Sequence, residues 1–195
     1  MSIDTQLFEG KMITLRPIDH EKDPELESHW THDLNLMRAL SRQPAMPLSV
    51  AQVKKKYEAI EKQVDESKNL FHFTIRGKQD GMYLGFVRIE GIEWTHGIGS
   101  IKVAIGDVAE RNKGYGSEAM QLMLRFAFSE LNLYRLSAVV GEDNPSGIRF
   151  FKRHGFVEEV RRRKALLRDG QTWDLIHLGI LREEWLAMIE GDQHE

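Results

Sequence analysis

Two glycines one residue apart stand among basic side chains and a hydroxyl in Arg111-Asn112-Lys113-Gly114-Tyr115-Gly116-Ser117. Residues of these types at this spacing suit the holding of phosphate oxygens. Glycine lets the backbone turn tightly and brings N–H groups close to a ligand. If a helix starts there, its first N–H groups have no partner within the helix and its dipole adds partial positive charge. Such an end is an anion site, and Arg111 and Lys113 would add full charges. A glycine-rich turn that merely enters a structural helix is the plain alternative. A dinucleotide loop is another, because Gly114 to Ala119 satisfies G-x-G-x-x-A and Glu142 and Asp143 follow where a ribose-binding acid belongs. That motif expects a strand to run straight into the first glycine, whereas eight residues separate Ile105 from Gly114 and no second strand–helix–strand unit follows. No G-x-x-x-x-G-K-[ST] string occurs, which excludes a Walker-A loop.

The elements that must position this loop follow from the apolar period. Met12–Ile18 alternates as a first strand, and Asp23-Pro24 reads as an N-cap and first-turn proline opening a short helix through Trp30. Asp33–Leu40 reads as a second short helix. Ser49 and Gln52 form a capping-box pair, and Val53, Tyr57, Ile60 and Val64 make one apolar stripe on the helix behind it. From residue 70 the period changes to two. Phe71, Phe73 and Ile75 share a strand face, Gly77–Gly81 is a turn, and Tyr83–Trp94 and Ile98–Ile105 continue an antiparallel meander.

The polar stretch Gly106–Lys113 then leads into the glycine loop and a helix carrying Met120, Met123, Leu124, Ala127, Phe128 and Leu131 at helical spacing. Leu136–Val140 is the next strand, and a strand–helix–strand crossover places its two strands parallel. Asn144-Pro145 caps a further helix that Gly155 ends, Phe156–Leu181 is a hairpin around Asp169-Gly170, and Glu183–Ile189 is a last helix. These elements make a mixed α+β fold, and the expectation is a single domain over residues 1–195.

Composition removes several function classes. Lys+Arg is 27 and Asp+Glu 30, a net charge of −3, so the basic footprint of a general nucleic-acid binder is absent. The chain has no cysteine, which excludes disulfides, thiolate catalysis and Cys-ligated metal. The histidines show no H-x-x-x-H spacing, and no metal is expected. No apolar run approaches the ~18 residues of a membrane span, so the expectation is a cytoplasmic protein with neither membrane nor nucleic acid as partner. Arg161-Arg162-Arg163-Lys164 lies in an expected strand and reads as a solvated edge that discourages edge-to-edge pairing.

Taken in order, Arg111-x-x-Gly114-x-Gly116 after a strand, Asn144 and Gly155-Phe156 downstream, Leu15-Arg16-Pro17 near the start and Asp169-Gly170 before Trp173-Asp174 resemble the GCN5-related N-acetyltransferase (GNAT) superfamily. Within it the string resembles the RimJ/RimL-like branch of ribosomal-protein N-acetyltransferases. The resemblance implies a mixed, mostly antiparallel sheet flanked by helices and splayed open after the strand Ser100–Ile105, with cofactor-binding motifs within residues 98–156. It implies acetyl-CoA as the acetyl donor. The pantetheine arm would pair with backbone near Val103 and Ile105, and Arg111, Asn112, Lys113, Gly114, Tyr115, Gly116 and Ser117 would wrap the pyrophosphate. Asn144 would reach the pantetheine or thioester, and Phe151 would pack on the cofactor arm or the core. Trp30, His32 and Asp33 lie where the family builds its acceptor pocket.

Acetyl transfer to an amine needs the amine deprotonated, the reactants aligned, a donor for the oxyanion and a departing thiolate. Strand N–H groups near Val103–Ala104 are the expected oxyanion donors. Phe151 stands where many members carry a tyrosine that protonates the sulfur, so Ser146 is the substitute hydroxyl to consider. A thiol of pKa ~8.5 also leaves tolerably without an acid. Glu93 is the candidate general base. Parity puts it on the opposite face from Glu90 unless a bulge at Gly91 intervenes, and relay through water is the alternative. Ser100 stands where many relatives have glutamate. The expected function is acetyl transfer to a primary amine, whether a protein N-terminus, an amino acid, a polyamine or another small amine, with a homodimer as the assembly typical of such proteins. A non-catalytic acyl-CoA-binding module is the alternative that Phe151 and the unassigned base suggest, and a dinucleotide-dependent oxidoreductase comes third.

Overall fold

The structure is a computed structural model that describes residues 6–191. Seven strands form one sheet in the order β1-β2-β3-β4-β5-β7-β6. β1 (Ile13–Arg16), β2 (Phe71–Gly77), β3 (Tyr83–Glu93) and β4 (Ile98–Ile105) are the antiparallel meander that the alternation predicts. The chain then crosses through α4 (Tyr115–Arg125), which runs on as a π-helical segment, Phe126–Glu130, to the parallel strand β5 (Arg135–Gly141). β7 (Gln171–Leu181) pairs antiparallel with β5 and with β6 (Val157–Arg168), the hairpin turning at Asp169-Gly170.

The parallel contact between β4 and β5 is short. It holds only Ile98 opposite Arg135, Gly99 opposite Leu136 and Ser100 opposite Ser137. From Ile101 onward β4 has no neighbour on that side, so the sheet splays inside β4 rather than beyond its end. Reciprocal bonds close the vertex: the Ser100 hydroxyl reaches the Ser137 carbonyl at 3.3 Å and the Ser137 hydroxyl the Gly99 carbonyl at 3.2 Å.

Period-two alternation divides the sheet into two faces. Ile75, Val87, Ile89, Ile101 and Leu136 point to one face and bury Met120, Met123, Leu124 and Phe128 of the crossover, together with α5 (Pro145–Arg153) and α6 (Arg182–Gly191). On the other face α1 (Asp23–Trp30) and α2 (Leu34–Leu40) set Trp30 and Leu36 against Tyr83, Phe86 and Ala104. α3 (Val50–Ser67) lays Val53, Tyr57 and Ile60 against Leu70, and Ser49 and Gln52 form the expected capping box at its start. No described helix is long and apolar enough to cross a membrane.

One local reading is corrected. Asp23 is not the cap of α1: Lys22 holds that position and Asp23 lies inside the first turn, fully buried. The turn sits over β2, where Arg76 projects from the same face. The carboxylate therefore pairs with that guanidinium at 2.6 Å and accepts the Asp19 N–H at 2.8 Å.

Candidate active site

Gly114 is the N-cap of α4 at φ +95°, in the left-handed region, and no side chain caps the helix. Asn112 also has positive φ, at 64°. The first N–H groups of α4 are thus unpartnered within the helix, and the backbone that presents them turns as only glycine turns easily. Gly116 has a different reason to be glycine. A Cβ there would come no nearer than 3.6 Å to the Phe150 ring, so nothing inside the chain demands its absence. What its absence leaves open is the space before those N–H groups. Glu118, the acid of the first turn, is used elsewhere: it accepts the N–H groups of Lys11, of Met12 at 2.9 Å and of Ile13 at 3.0 Å, tying the helix to β1.

Arg111 does not offer its charge to the loop's concavity. Its Nε donates to the Ile105 carbonyl at 3.1 Å, and its Nη2 donates to the Gly106 carbonyl at 2.7 Å and to Asp33 Oδ2 at 2.8 Å. The guanidinium fastens the loop to the end of β4, because two strand-end carbonyls and one carboxylate converge on it. Asp33 in turn caps α2, its Oδ1 accepting from Asn35 and Leu36. Burial pushes the Asp33 carboxyl up, but the Arg111 hydrogen bond and the capped N–H groups outweigh it and hold it below the usual range. Lys113 remains at the surface, paired with Glu110 at 2.9 Å.

The splay frees a defined set of amides. The Gly106 N–H donates to the Leu84 carbonyl across β3. Antiparallel pairs alternate between bonded and non-bonded, so Lys102 and Ala104 also face β3 while Ile101, Val103 and Ile105 face the opening. This removes Ala104 from the expected oxyanion donors and keeps Val103. Of the outward carbonyls, that of Ile105 is already taken by Arg111.

Two expected site residues serve as a helix cap. Asn144 Oδ1 accepts the Gly147 N–H at 2.9 Å and the Ser146 hydroxyl at 2.8 Å. The Ser146 proton is therefore already donated, and this corrects its reading as a ready acid. Phe151 is buried, its ring 5.2 Å from that of Phe156, and it is Phe150 that stands beside the glycine loop. The helical stripe of Ile148 with Phe151 is the signal that sends Phe151 inward. Trp30 is also core: its ring packs 4.7 Å from Tyr83 and fills the space where a Gly106 Cβ would lie, while His32 is exposed.

On the face opposite α4, a cleft of roughly 490 Å³ lies at the closed end of the splay, lined by Gln63, Glu90, Glu93, Ser100, Arg135 and Ser137 among others. Gly91 at φ +62° and a register shift between Glu90 and Glu93 form a bulge, and the bulge brings both carboxylates to this one face. They differ in circumstance. Glu90 is held by Arg88 at 2.9 Å and Lys102 at 2.6 Å. Glu93 has no ion pair among the described residues and is exposed.

Residues 12–157 match the acetyltransferase (GNAT) domain family. The uncharacterized N-acetyltransferase YnaD of Bacillus subtilis is 37% identical over 75 residues, covering 38% of this chain and 44% of that one, so the chain spans less than half of this relative in the match. The SPbeta prophage-derived uncharacterized N-acetyltransferase YokL of the same organism is 28% identical over 176 residues, 90% of this chain and 93% of that one. The crystal structure of spermidine N-acetyltransferase from Vibrio cholerae in complex with CoA and spermine is similar at a TM-score of 0.77 and 20% identity, over 91% of this chain and 99% of that one, which shows a common fold. With an uncapped helix end, an open strand edge and a family match over most of its length, the chain belongs to the acetyltransferase (GNAT) domain family.

Proposed function

We propose that the protein is an acetyl-CoA-dependent N-acetyltransferase, of the RimJ/RimL-like type, that passes an acetyl group directly to a primary amine. The observation that carries this reading is the order of the groups along one strand edge. It runs from the uncapped amides at Gly114–Ser117, along the outward amides of Ile105, Val103 and Ile101, to the cleft that holds Glu93. Its two ends need opposite chemistry, anion holding at one and proton removal at the other, and the residues supply both.

Acetyl-CoA supplies an acetyl group activated as a thioester. The residues of the chain do the rest. The amides of Tyr115, Gly116 and Ser117 hold the diphosphate, with the charge of Lys113 and the turn at Asn112 and Gly114 completing the grip. Val103 and Ile105 align the pantetheine as a further strand would be aligned, and the free Asn144 amide nitrogen reaches it from α5. The Val103 N–H faces the developing oxyanion. Glu93 accepts the amine proton through water. Nitrogen bonds to the acetyl carbon, the carbon–sulfur bond breaks, and the electron pair leaves on sulfur as a thiolate, for which no side-chain acid is needed.

The amine class is supported by the spermidine acetyltransferase that shares the fold. Self-association as a homodimer belongs to the same reading. Calorimetry with acetyl-CoA and with NAD tests the donor: heat with the first and none with the second is expected, and the reverse would end the reading. Thiol release across a panel of amines tests catalysis. Binding with silence across the panel would leave an acyl-CoA-binding module instead.

A further inference from the structure

On the face that carries the cleft, three basic side chains stand in one cross-strand row. His72 of β2 lies opposite Arg88 of β3, and Arg88 opposite Lys102 of β4. Lys102 is two residues past Ser100, the last paired position before β4 and β5 part, so this end of the row borders the opening. His72 stacks on Phe86 at 5.2 Å, the Arg88 guanidinium lies over the same ring at 5.6 Å, and Lys56 of α3 approaches it at 5.9 Å.

Three polar atoms of the row are unsatisfied. Both ring nitrogens of His72 and Nε of Arg88 are buried with no hydrogen-bond partner; Nε lies 2.9 Å from Glu90 but out of line for a bond. Nearly all buried polar groups in folded proteins have a partner, and those without one need an explanation, a bound water or ligand among them. Burial first, and then the Arg88 charge, holds the His72 pKa down at about 4, so the imidazole is neutral with one N–H to give. The surrounding charges leave a remainder. Lys56 is answered by Glu27, while Arg88 and Lys102 share the single carboxylate of Glu90. Within the row and its direct ion partners, one positive charge is unanswered; the unpaired Glu93 lies beyond it, at the closed end of the cleft.

We propose that this row seats a carboxylate carried by the acceptor, so that the substrate is an amine bearing one negative group rather than a polycation. The proposal rests on the acetyltransferase reading above. A guanidinium presents parallel N–H groups that match a carboxylate, and His72 adds a third donor beside it. One carboxylate balances the remaining charge, whereas a phosphate monoester would exceed it. A polyamine would bring like charge against Arg88 and Lys102. Neighbouring strands lie ~4.8 Å apart, so an amine beside Lys102 and a carboxylate between Arg88 and His72 are separated by several methylenes.

The test compares δ-aminovalerate, cadaverine and n-pentylamine, which share one chain and differ at the far end, as acceptors for the full chain with acetyl-CoA. The expected kcat/KM for δ-aminovalerate exceeds that for cadaverine by ~10-fold or more, a modest return for a site built to bond one polar group. Arg88→Gln should bring the ratio close to unity and Arg88→Lys should restore part of it; Lys102→Met gives a second route to the same loss if Arg88→Gln fails to fold. A separate readout needs no turnover: with coenzyme A present, the His72 imidazole NMR signals should move as δ-aminovalerate is added and stay with cadaverine. A preference for cadaverine, or a preference for δ-aminovalerate that survives Arg88→Gln, overturns the proposal. A stationary His72 overturns it even if no amine is acetylated, whereas a His72 that moves without turnover supports the seat and removes the enzyme reading.

Discussion

Asp33 and Arg111, 78 residues apart, are joined at 2.8 Å, so the cap of α2 and the glycine loop form one rigid corner. The Asp33 carboxyl is held below the usual range because the Arg111 bond outweighs burial. A depressed carboxyl contributes stability that is present above its unfolded pKa of ~3.9 and is lost as pH falls through the lower folded value. The melting temperature of the protein should exceed that of Asp33→Asn at neutral pH, with the gap closing below pH ~4. A gap that stays constant down to strong acid would show that the corner carries no such linkage.

The two loop glycines should separate stability from binding. Gly116→Ala meets only ordinary contacts and replaces a helical glycine, so it should melt at or above the wild type, by up to ~1 kcal/mol of stability. Its affinity for acetyl-CoA should nonetheless fall ~10-fold or more, since the added Cβ crowds the space before the first N–H groups and weakens a charge-assisted hydrogen bond of ~1.5–3 kcal/mol. Gly114→Val should lose both, because φ +95° costs a branched residue at least ~1–2 kcal/mol. Calorimetric titration beside thermal melts reads the two effects independently. Unchanged affinity in Gly116→Ala would place the diphosphate elsewhere.

Glu93→Gln should lower kcat/KM by ~100-fold, because the free carboxylate of the cleft is lost while Glu90 stays engaged with Arg88 and Lys102. A drop under ~3-fold would leave solvent as the proton acceptor and exclude Glu93 as the general base.

Glu27 is the buried keystone of the face opposite α4. It is buried against α3 and β3, where it accepts from Lys56, from the Tyr57 hydroxyl at 2.6 Å and from the Tyr83 hydroxyl at 2.9 Å. Burial pushes its carboxyl up, yet Lys56 and the two phenols outweigh that and hold it below its ordinary value. Glu27→Ala should cost roughly 3 kcal/mol in denaturant unfolding, the lower end for a broken buried pair because Lys56 reaches solvent. A cost under ~1 kcal/mol would mean that the phenols re-pair locally.

The sequence alone determined the elements and the glycine loop that opens α4, because both rest on local physics. Apolar period, capping residues and glycine spacing act within a few residues, and the strands, the Ser49 capping box, the Asp169-Gly170 turn and the uncapped start of α4 all follow from them. Tertiary structure decided which side chains are left free to act. Arg111 is spent on Asp33 and two carbonyls, Ser146 on Asn144, and Phe151 on the core, each through a partner that local patterning does not reveal. The bulge at Gly91 set Glu90 and Glu93 on one face, and the parting of β4 from β5 after Ser100 chose which amides are open. The row of His72, Arg88 and Lys102 exists only through the pairing of three strands. A residue type announces what a side chain can do; its availability depends on long-range contacts, and those form only when the whole sheet does.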